Sequence, residues 1–205
     1  MNKKLVSNSL YDFDKRFYNE FESIIACDEV GRGSLAGPIV VACVNLKPNF
    51  FNEKVRDSKK LNPRQREELS ILIKENGSFH FCYINSKEID LLNPLEATKK
   101  ATTSCLNKFE EKGSQIILLD YLSNFSYSKK FINIKKGDNT SFSIASASIL
   151  AKVERDNFMI NLNNDEFDIY DFFKNKGYGT KNHLEAIKIF GPSKIHRLSY
   201  KPLKK

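Results

Sequence analysis

Ser23-Ile24-Ile25-Ala26-Cys27-Asp28-Glu29-Val30-Gly31-Arg32-Gly33 is the stretch whose reading decides the fold. Its apolar half reads as a buried strand, which ends in two adjacent carboxylates and then turns through glycines around an arginine. Pro38-Ile39-Val40-Val41-Ala42-Cys43-Val44 reads as the next strand. Carboxylates are hard oxygen ligands for Mg²⁺ or Mn²⁺. Glycines let backbone amides come close to a ligand, and an arginine pairs with phosphate. A strand ending this way therefore suits divalent-metal binding beside a phosphate backbone. Taken alone, the hexapeptide from Asp28 to Gly33 fits a solvated turn equally well.

Further polar clusters follow, each beside an apolar element. Ile116-Ile117-Leu118-Leu119 runs into Asp120, a second junction of strand and acid. Phe131-Ile132-Asn133-Ile134 leads to Lys135-Lys136-Gly137-Asp138. Ser146 to Asp156 reads as helix, and Lys176-Gly177-Tyr178-Gly179-Thr180 with His183 comes later. Asp57-Ser58-Lys59-Lys60-Leu61, Glu88-Ile89-Asp90, and Gly191-Pro192-Ser193 with His196-Arg197 complete an ordered set from about Ile24 to about Pro202. In this order the chain resembles ribonuclease HII, the type 2 ribonuclease H family.

The chain has 205 residues, 40% of them hydrophobic, enough for one sizeable core and short for two. The formal net charge of +8 and pI near 9.2 favour an anionic partner such as nucleic acid. The tail from Lys194 is basic and free of acids. The four cysteines, Cys27, Cys43, Cys82 and Cys105, lie singly in apolar segments and predict reduced core thiols rather than a zinc site. The longest apolar run, Ile39 to Val44, is too short to span a bilayer. A soluble, cytoplasmic monomer without membrane contact is the expectation.

Strands are predicted near 22–28, 38–46, 79–85, 115–119 and 131–135. Asn62-Pro63-Arg64-Gln65 combines an N-cap, proline at the first helical position and a capping-box Gln. Asn93-Pro94-Leu95-Glu96 repeats the pattern, with Ala97, Ala101, Cys105 and Phe109 as a core-facing stripe. A third helix is predicted over about 143–162 and a last one after His183. Strands and helices interleave, so the fold class is α/β with a mixed central sheet flanked by helices. The resemblance implies the ribonuclease H-like fold with a small helical C-terminal extension. It divides the chain into an N-terminal segment (1–20) able to form a helix, a catalytic domain (21–165) and a substrate-contacting extension packed on it (166–205).

Phosphodiester hydrolysis needs a nucleophilic water and a stabilised leaving alkoxide, which two metal ions about 4 Å apart supply. The resemblance carries the catalytic and metal-ligand roles onto Asp28, Glu29, Asp120 and Asp138. Neighbouring strand residues point to opposite faces. Asp28 and Glu29 therefore reach one metal only if the strand breaks at Gly31, or if Glu29 acts through its backbone carbonyl or a water. Asp156 reads as a structural acid, with Arg155 and Lys152 close by for an ion pair that holds the helix. The resemblance also implies that Gly31, Arg32, Gly33 and Tyr178 recognise the step from ribonucleotide to deoxyribonucleotide, which the 2′-OH distinguishes. Lys59, Lys152 and Lys181 are candidate phosphate contacts. His183 and His196 read as residues that cap helices or hold the C-terminal segment, and His80 as a core or edge residue.

The implied activity is a metal-dependent endoribonuclease with two Mg²⁺ or Mn²⁺ ions. It would hydrolyse the RNA strand of RNA–DNA hybrids and cut 5′ of single ribonucleotides in duplex DNA, leaving 3′-hydroxyl and 5′-phosphate ends. Two alternatives are a DNA-directed nuclease or strand-transferase on a related fold, and a non-catalytic nucleic-acid-binding module on an inactive scaffold. Two positions depart from the family pattern. Tyr121 stands where glycine is usual, so its side chain crowds the loop or covers the metal site. Ser146 stands for an alanine, a change the helix tolerates.

Overall fold

The computed structural model describes residues 9–162 and 165–204. Five strands form one mixed sheet in the order β3-β2-β1-β4-β5. They are β1 (Ser23–Val30), β2 (Ile39–Leu46), β3 (Gly77–Ile84), β4 (Gln115–Asp120) and β5 (Phe131–Ile134). β2 runs antiparallel to β1 and to β3, while β4 and β5 run parallel to β1. The hairpin register sets Cys27 opposite Cys43 and Asp28 opposite Ala42. The parallel register sets Cys27 beside Leu119, so Asp28 and Asp120 occupy the next positions at the ends of two adjacent strands.

Side-chain alternation along the strands divides the core into two layers. Ile24, Ala26, Ala42, Val44, Ile116 and Leu118 face α5 (Phe142–Ile160). Ile25, Cys27, Val41, Cys43, Ile117 and Leu119 face α4 (Pro94–Leu106). Helix α5 is lined with Ala145, Ser146, Ala147, Ser148 and Ala151, all buried, which let it lie close on β1 and β2. At its start, Ser141 accepts from the Ile144 amide (3.2 Å). Asp14 of α1 (Ser9–Lys15), itself buried, accepts from Ser143 N (2.7 Å). Helix α2 (Pro63–Glu75) begins with the reciprocal Asn62–Gln65 capping box. The periodicity missed α3 (Ser86–Leu92) and two single-turn helices, α6 (Asp165–Asp168) and α7 (Phe172–Asn175), which are too short to show a period. Helix α8 (Lys181–Phe190) starts two residues before His183, capped by Thr180. No described helix is long and apolar enough to cross a membrane.

The expectation of four separate thiols is corrected. Cys27 and Cys43, directly opposed across β1 and β2 with Cα atoms 4.2 Å apart, form a disulfide. Cys82 and Cys105 are free and buried in the same layer, and burial pushes the Cys105 thiol up to about 12. Sequence separation hid the pair, because only the hairpin register sets the two side chains face to face.

The C-terminal segment forms a third cluster in which Phe167, Tyr170 and Phe172 pack with Leu35, Ala36 and Met159. His183 and His196 lie inside it with their Nε2 atoms 3.0 Å apart. His183 Nδ1 faces the Tyr178 carbonyl (2.9 Å) and must donate to it, which leaves His183 Nε2 as an acceptor. His196 Nε2 must then donate, and His196 Nδ1 accepts from Ser193 N (2.9 Å). Both rings are thereby fixed as neutral tautomers, because a proton on either one would set two N–H groups against each other. Burial, and then the neighbouring His183 ring, holds His196 down to about 4. Burial also lowers His183.

The unfolded chain therefore binds more protons than the folded one between pH 6.5, the ordinary His value, and about 4. Stability from this pair is complete above that window and is lost as pH falls through it, by on the order of 3 kcal/mol. Urea unfolding at stepped pH should show the loss in the native protein, with a flatter profile in His196→Gln. Equal slopes in the two proteins would refute this account.

Candidate active site

Strand β1 stays regular through Val30, with Glu29 paired to Val41. The strand ends at the Gly31 turn, which comes only after both acids. Alternation sends Asp28 to the α5 side of the sheet, the side of Leu118 and hence of Asp120, and Glu29 to the opposite side. Asp28 is 8% exposed, and its Oδ1 accepts from the Glu29 amide (2.7 Å). Ser148 on α5 hydrogen-bonds the Asp28 carboxylate and lies 2.9 Å from the Ser58 hydroxyl. Burial raises Asp28 well above the ordinary carboxylate range, and the charges of Glu29 and Asp120 push it further. Glu29 is raised by burial as well, against the Arg32 guanidinium 3.2 Å away.

Asp120 Oδ1 accepts from the Gly137 amide (2.7 Å), which joins the end of β4 to the loop carrying Asp138. Asp138 is buried, with Asn139 Nδ2 at 2.9 Å from Oδ1 and Lys59 Nζ at 3.3 Å from Oδ2. Partial burial works against the Lys59 charge, but the Asp138 carboxylate outweighs it and raises the lysine. Asp57 caps the turn that carries Lys59, accepting from Lys59 N (2.9 Å) and from Asn139 Nδ2 (3.2 Å). Asp57, Ser148 and Asn139 are thus part of the site although sequence reading did not select them. Asp57 could have been found, since it sits in the quoted Asp57-Ser58-Lys59-Lys60 motif. Asp120, Asp138 and Lys59 line one open depression of about 770 Å³.

Among the described residues, no three His, Cys, Asp or Glu side chains already converge on one point. The donor set is nonetheless all oxygen, and Asp28, Glu29 and Asp120 repel one another in a partly dehydrated setting. Uncompensated negative charge of that kind is what a divalent cation neutralises, so the residues present fit such an ion.

The loop of Gly31, Arg32 and Gly33 is held from beneath. Gly31 has φ +92°, and a Cβ there would meet Arg155 Nε at 2.2 Å. Arg155 donates to Pro38 O (2.9 Å), Ala36 O (3.0 Å), Lys176 O (2.9 Å) and the Ser34 hydroxyl (2.7 Å). Arg197 donates to Gly31 O (2.7 Å), Arg32 O (3.1 Å) and Gly37 O (2.8 Å). The Tyr200 hydroxyl also donates to Arg32 O (2.7 Å). Both guanidiniums are fully buried. Asp156 pairs with Lys152 (2.7 Å), a structural ion pair within α5 as expected. The Tyr178 loop docks on this one through Leu35 N and Ala36 N, which donate to Gly177 O (2.8 and 3.2 Å). The Tyr178 ring, half-buried, has Lys152 Nζ at 5.5 Å and the Arg155 guanidinium at 5.3 Å. Lys181 is exposed at the first turn of α8.

The fold is that of the ribonucleases H. The chain superimposes on the ribonuclease H2 of Pyrococcus horikoshii OT3 with a TM-score of 0.72 at 24% identity, covering 88% of this chain and 95% of that one. It also matches the structure of Bst-RNase HIII in complex with Mn²⁺, with a TM-score of 0.65 at 17% identity, covering 89% and 68%. The family model described as ribonuclease HII matches residues 25–203. A ribonuclease HII from Mycoplasma mycoides subsp. mycoides SC is 42% identical, over 98% of this chain and 97% of its own. The chain belongs to the ribonuclease HII family and is an enzyme of the ribonuclease H class.

Gly31→Ala would combine a disfavoured φ with a clash against a buried guanidinium. A stability loss of about 2 kcal/mol or more is expected in urea unfolding. A loss below about 0.5 kcal/mol would show that the Arg155 buttress yields freely.

Proposed function

We propose that this ribonuclease H is an endonuclease that cuts the RNA strand of RNA–DNA hybrids. It also cuts duplex DNA on the 5′ side of a single embedded ribonucleotide, leaving 3′-hydroxyl and 5′-phosphate ends. The observation that carries this reading is the position of the acids. Asp28 and Asp120 sit at adjacent parallel strand ends, and the glycine loop that follows β1 lies alongside them. Asp28, Glu29, Asp120 and Asp138 would hold two divalent ions, Mg²⁺ or Mn²⁺, with Glu29 reaching them through its carbonyl or a water. Mn²⁺ is the ion in the Bst-RNase HIII structure. Bound there, such ions supply the Lewis acidity that activates the attacking water and stabilises the leaving oxygen.

The rest of the work falls to the chain's own groups. Arg32, held by Glu29 at 3.2 Å, would pair its guanidinium with a backbone phosphate. Backbone groups of Gly31 and Gly33 can approach a 2′-OH that a side chain would shield. The Tyr178 ring, fixed beside that loop by the Gly177 contacts, would pack against the neighbouring sugar and test its shape. Lys59 and Lys152, at the edges of the acid cluster and of Tyr178, would neutralise backbone phosphates. Lys59 balances Asp138 when substrate is absent.

A labelled DNA duplex carrying one ribonucleotide, beside an all-DNA duplex, tests the proposal. Cutting of the first alone, 5′ of the ribonucleotide and stopped by EDTA, is the expected result. Asp28→Asn should lower kcat by at least about a thousandfold while leaving duplex binding in place. Cleavage at the native rate by Asp28→Asn would remove the assigned metal site, and equal cutting of both duplexes would remove the recognition reading.

A further inference from the structure

Tyr121 directly follows Asp120, and its ring is 49% exposed. It lines the same open depression as Asp120 and Asp138. Lys59, Lys60, Lys135 and Lys136 line it too. Lys135 Nζ stands 5.6 Å from the Tyr121 ring centroid. The ring belongs to none of the three apolar clusters, so it does not stabilise the core. Asp120 remains partly exposed beside it. A large aromatic next to a cation at the mouth of an acidic cleft is a surface suited to a nucleotide's sugar and base, with the lysine for its phosphate.

Strand order says which nucleotides these are. The Gly31–Gly33 loop leaves β1 toward β2. Tyr121 leaves β4, on the other side of β1, and Lys135 leaves β5 beyond it. Neighbouring β-strands are about 4.8 Å apart and the nucleotides of one nucleic-acid strand rise about 3.4 Å each, so a strand crossing β1, β4 and β5 spans only a few nucleotides. A strand lying across the acids with its ribonucleotide on the glycine loop therefore carries the nucleotides across the cut onto Tyr121.

We infer that Tyr121 and Lys135 form a subsite for the cut strand on the 5′ flank of the scissile phosphate. The inference rests on the cleavage proposed above. Tyr121 packs on the sugar and base edge of that flank, and Lys135 pairs with its phosphate. The subsite makes affinity depend on duplex length upstream of the ribonucleotide, while the glycine loop and Tyr178 read the ribonucleotide itself.

Steady-state cleavage would be measured on duplexes with one ribonucleotide, either full-length, shortened on the 5′ flank, or shortened on the 3′ flank. Tyr121→Ala should raise KM about tenfold on the full-length and 3′-shortened duplexes, with a smaller effect on kcat. Tyr121→Phe should recover most of that loss, and Lys135→Ala should raise KM and flatten its salt dependence. On the 5′-shortened duplex, native protein and Tyr121→Ala should converge. Native protein that cuts while Tyr121→Ala keeps its KM, or shows the same defect on both shortened duplexes, overturns the subsite alone. Native protein that cuts no ribonucleotide-containing duplex overturns the proposed cleavage, and the subsite with it.

Discussion

Two buried guanidiniums hold the part of the molecule on which recognition would depend. Arg155 and Arg197 lie wholly inside the protein, and among the described residues neither pairs with a carboxylate. Removing a cation from water is costly unless its donors are satisfied. Here the donors are spent on the carbonyls of Gly31, Arg32, Ala36, Gly37, Pro38 and Lys176, with the Ser34 and Tyr200 hydroxyls. Burial pulls Arg155 down to about 10, so it stays charged at neutral pH. The loop between β1 and β2 takes its shape from these two side chains together with its backbone bonds to Gly177, Ile195 and Arg197.

The same arginines join elements that are distant in sequence. Arg155 comes from the middle of α5, the helix that brings Ser148 to Asp28. Arg197 comes from the C-terminal segment, which Asp90 fixes by accepting from Leu198 N (2.8 Å) and Ser199 N (3.0 Å). The neutral His183–His196 pair holds that segment from within. Residues 191–200 therefore bear on the acid cluster without touching it, because they fix the loop beside which any substrate would lie.

The acids show a complementary constraint. Asp28, Glu29 and Asp120 are gathered where their charges oppose one another, and the protein offsets this only in part, through Arg32, Ser148 and backbone amides. Asp138 stands slightly apart, balanced by Lys59. Stability and function pull in opposite directions at such a place: a well-neutralised cluster would be more stable and less able to attract a cation.

Much was legible in the sequence because its signals are local. The apolar runs ending in Asp28 and Asp120 mark strands with acids at their ends, the Asn62 and Asn93 caps mark helix starts, and the ordered motifs specify the family. What depended on tertiary structure was everything set by register and packing between distant segments. Only the parallel pairing of β1 with β4 puts Asp28 and Asp120 on one face, and only the hairpin register sets Cys27 against Cys43. Of the two cations beside Asp156 in the helix, Lys152 pairs with it, while close packing of α5 on the sheet turns Arg155 inward to backbone carbonyls. A sequence states which groups are available, but the pairing of a buried charge is decided by which polar atoms the fold brings within reach.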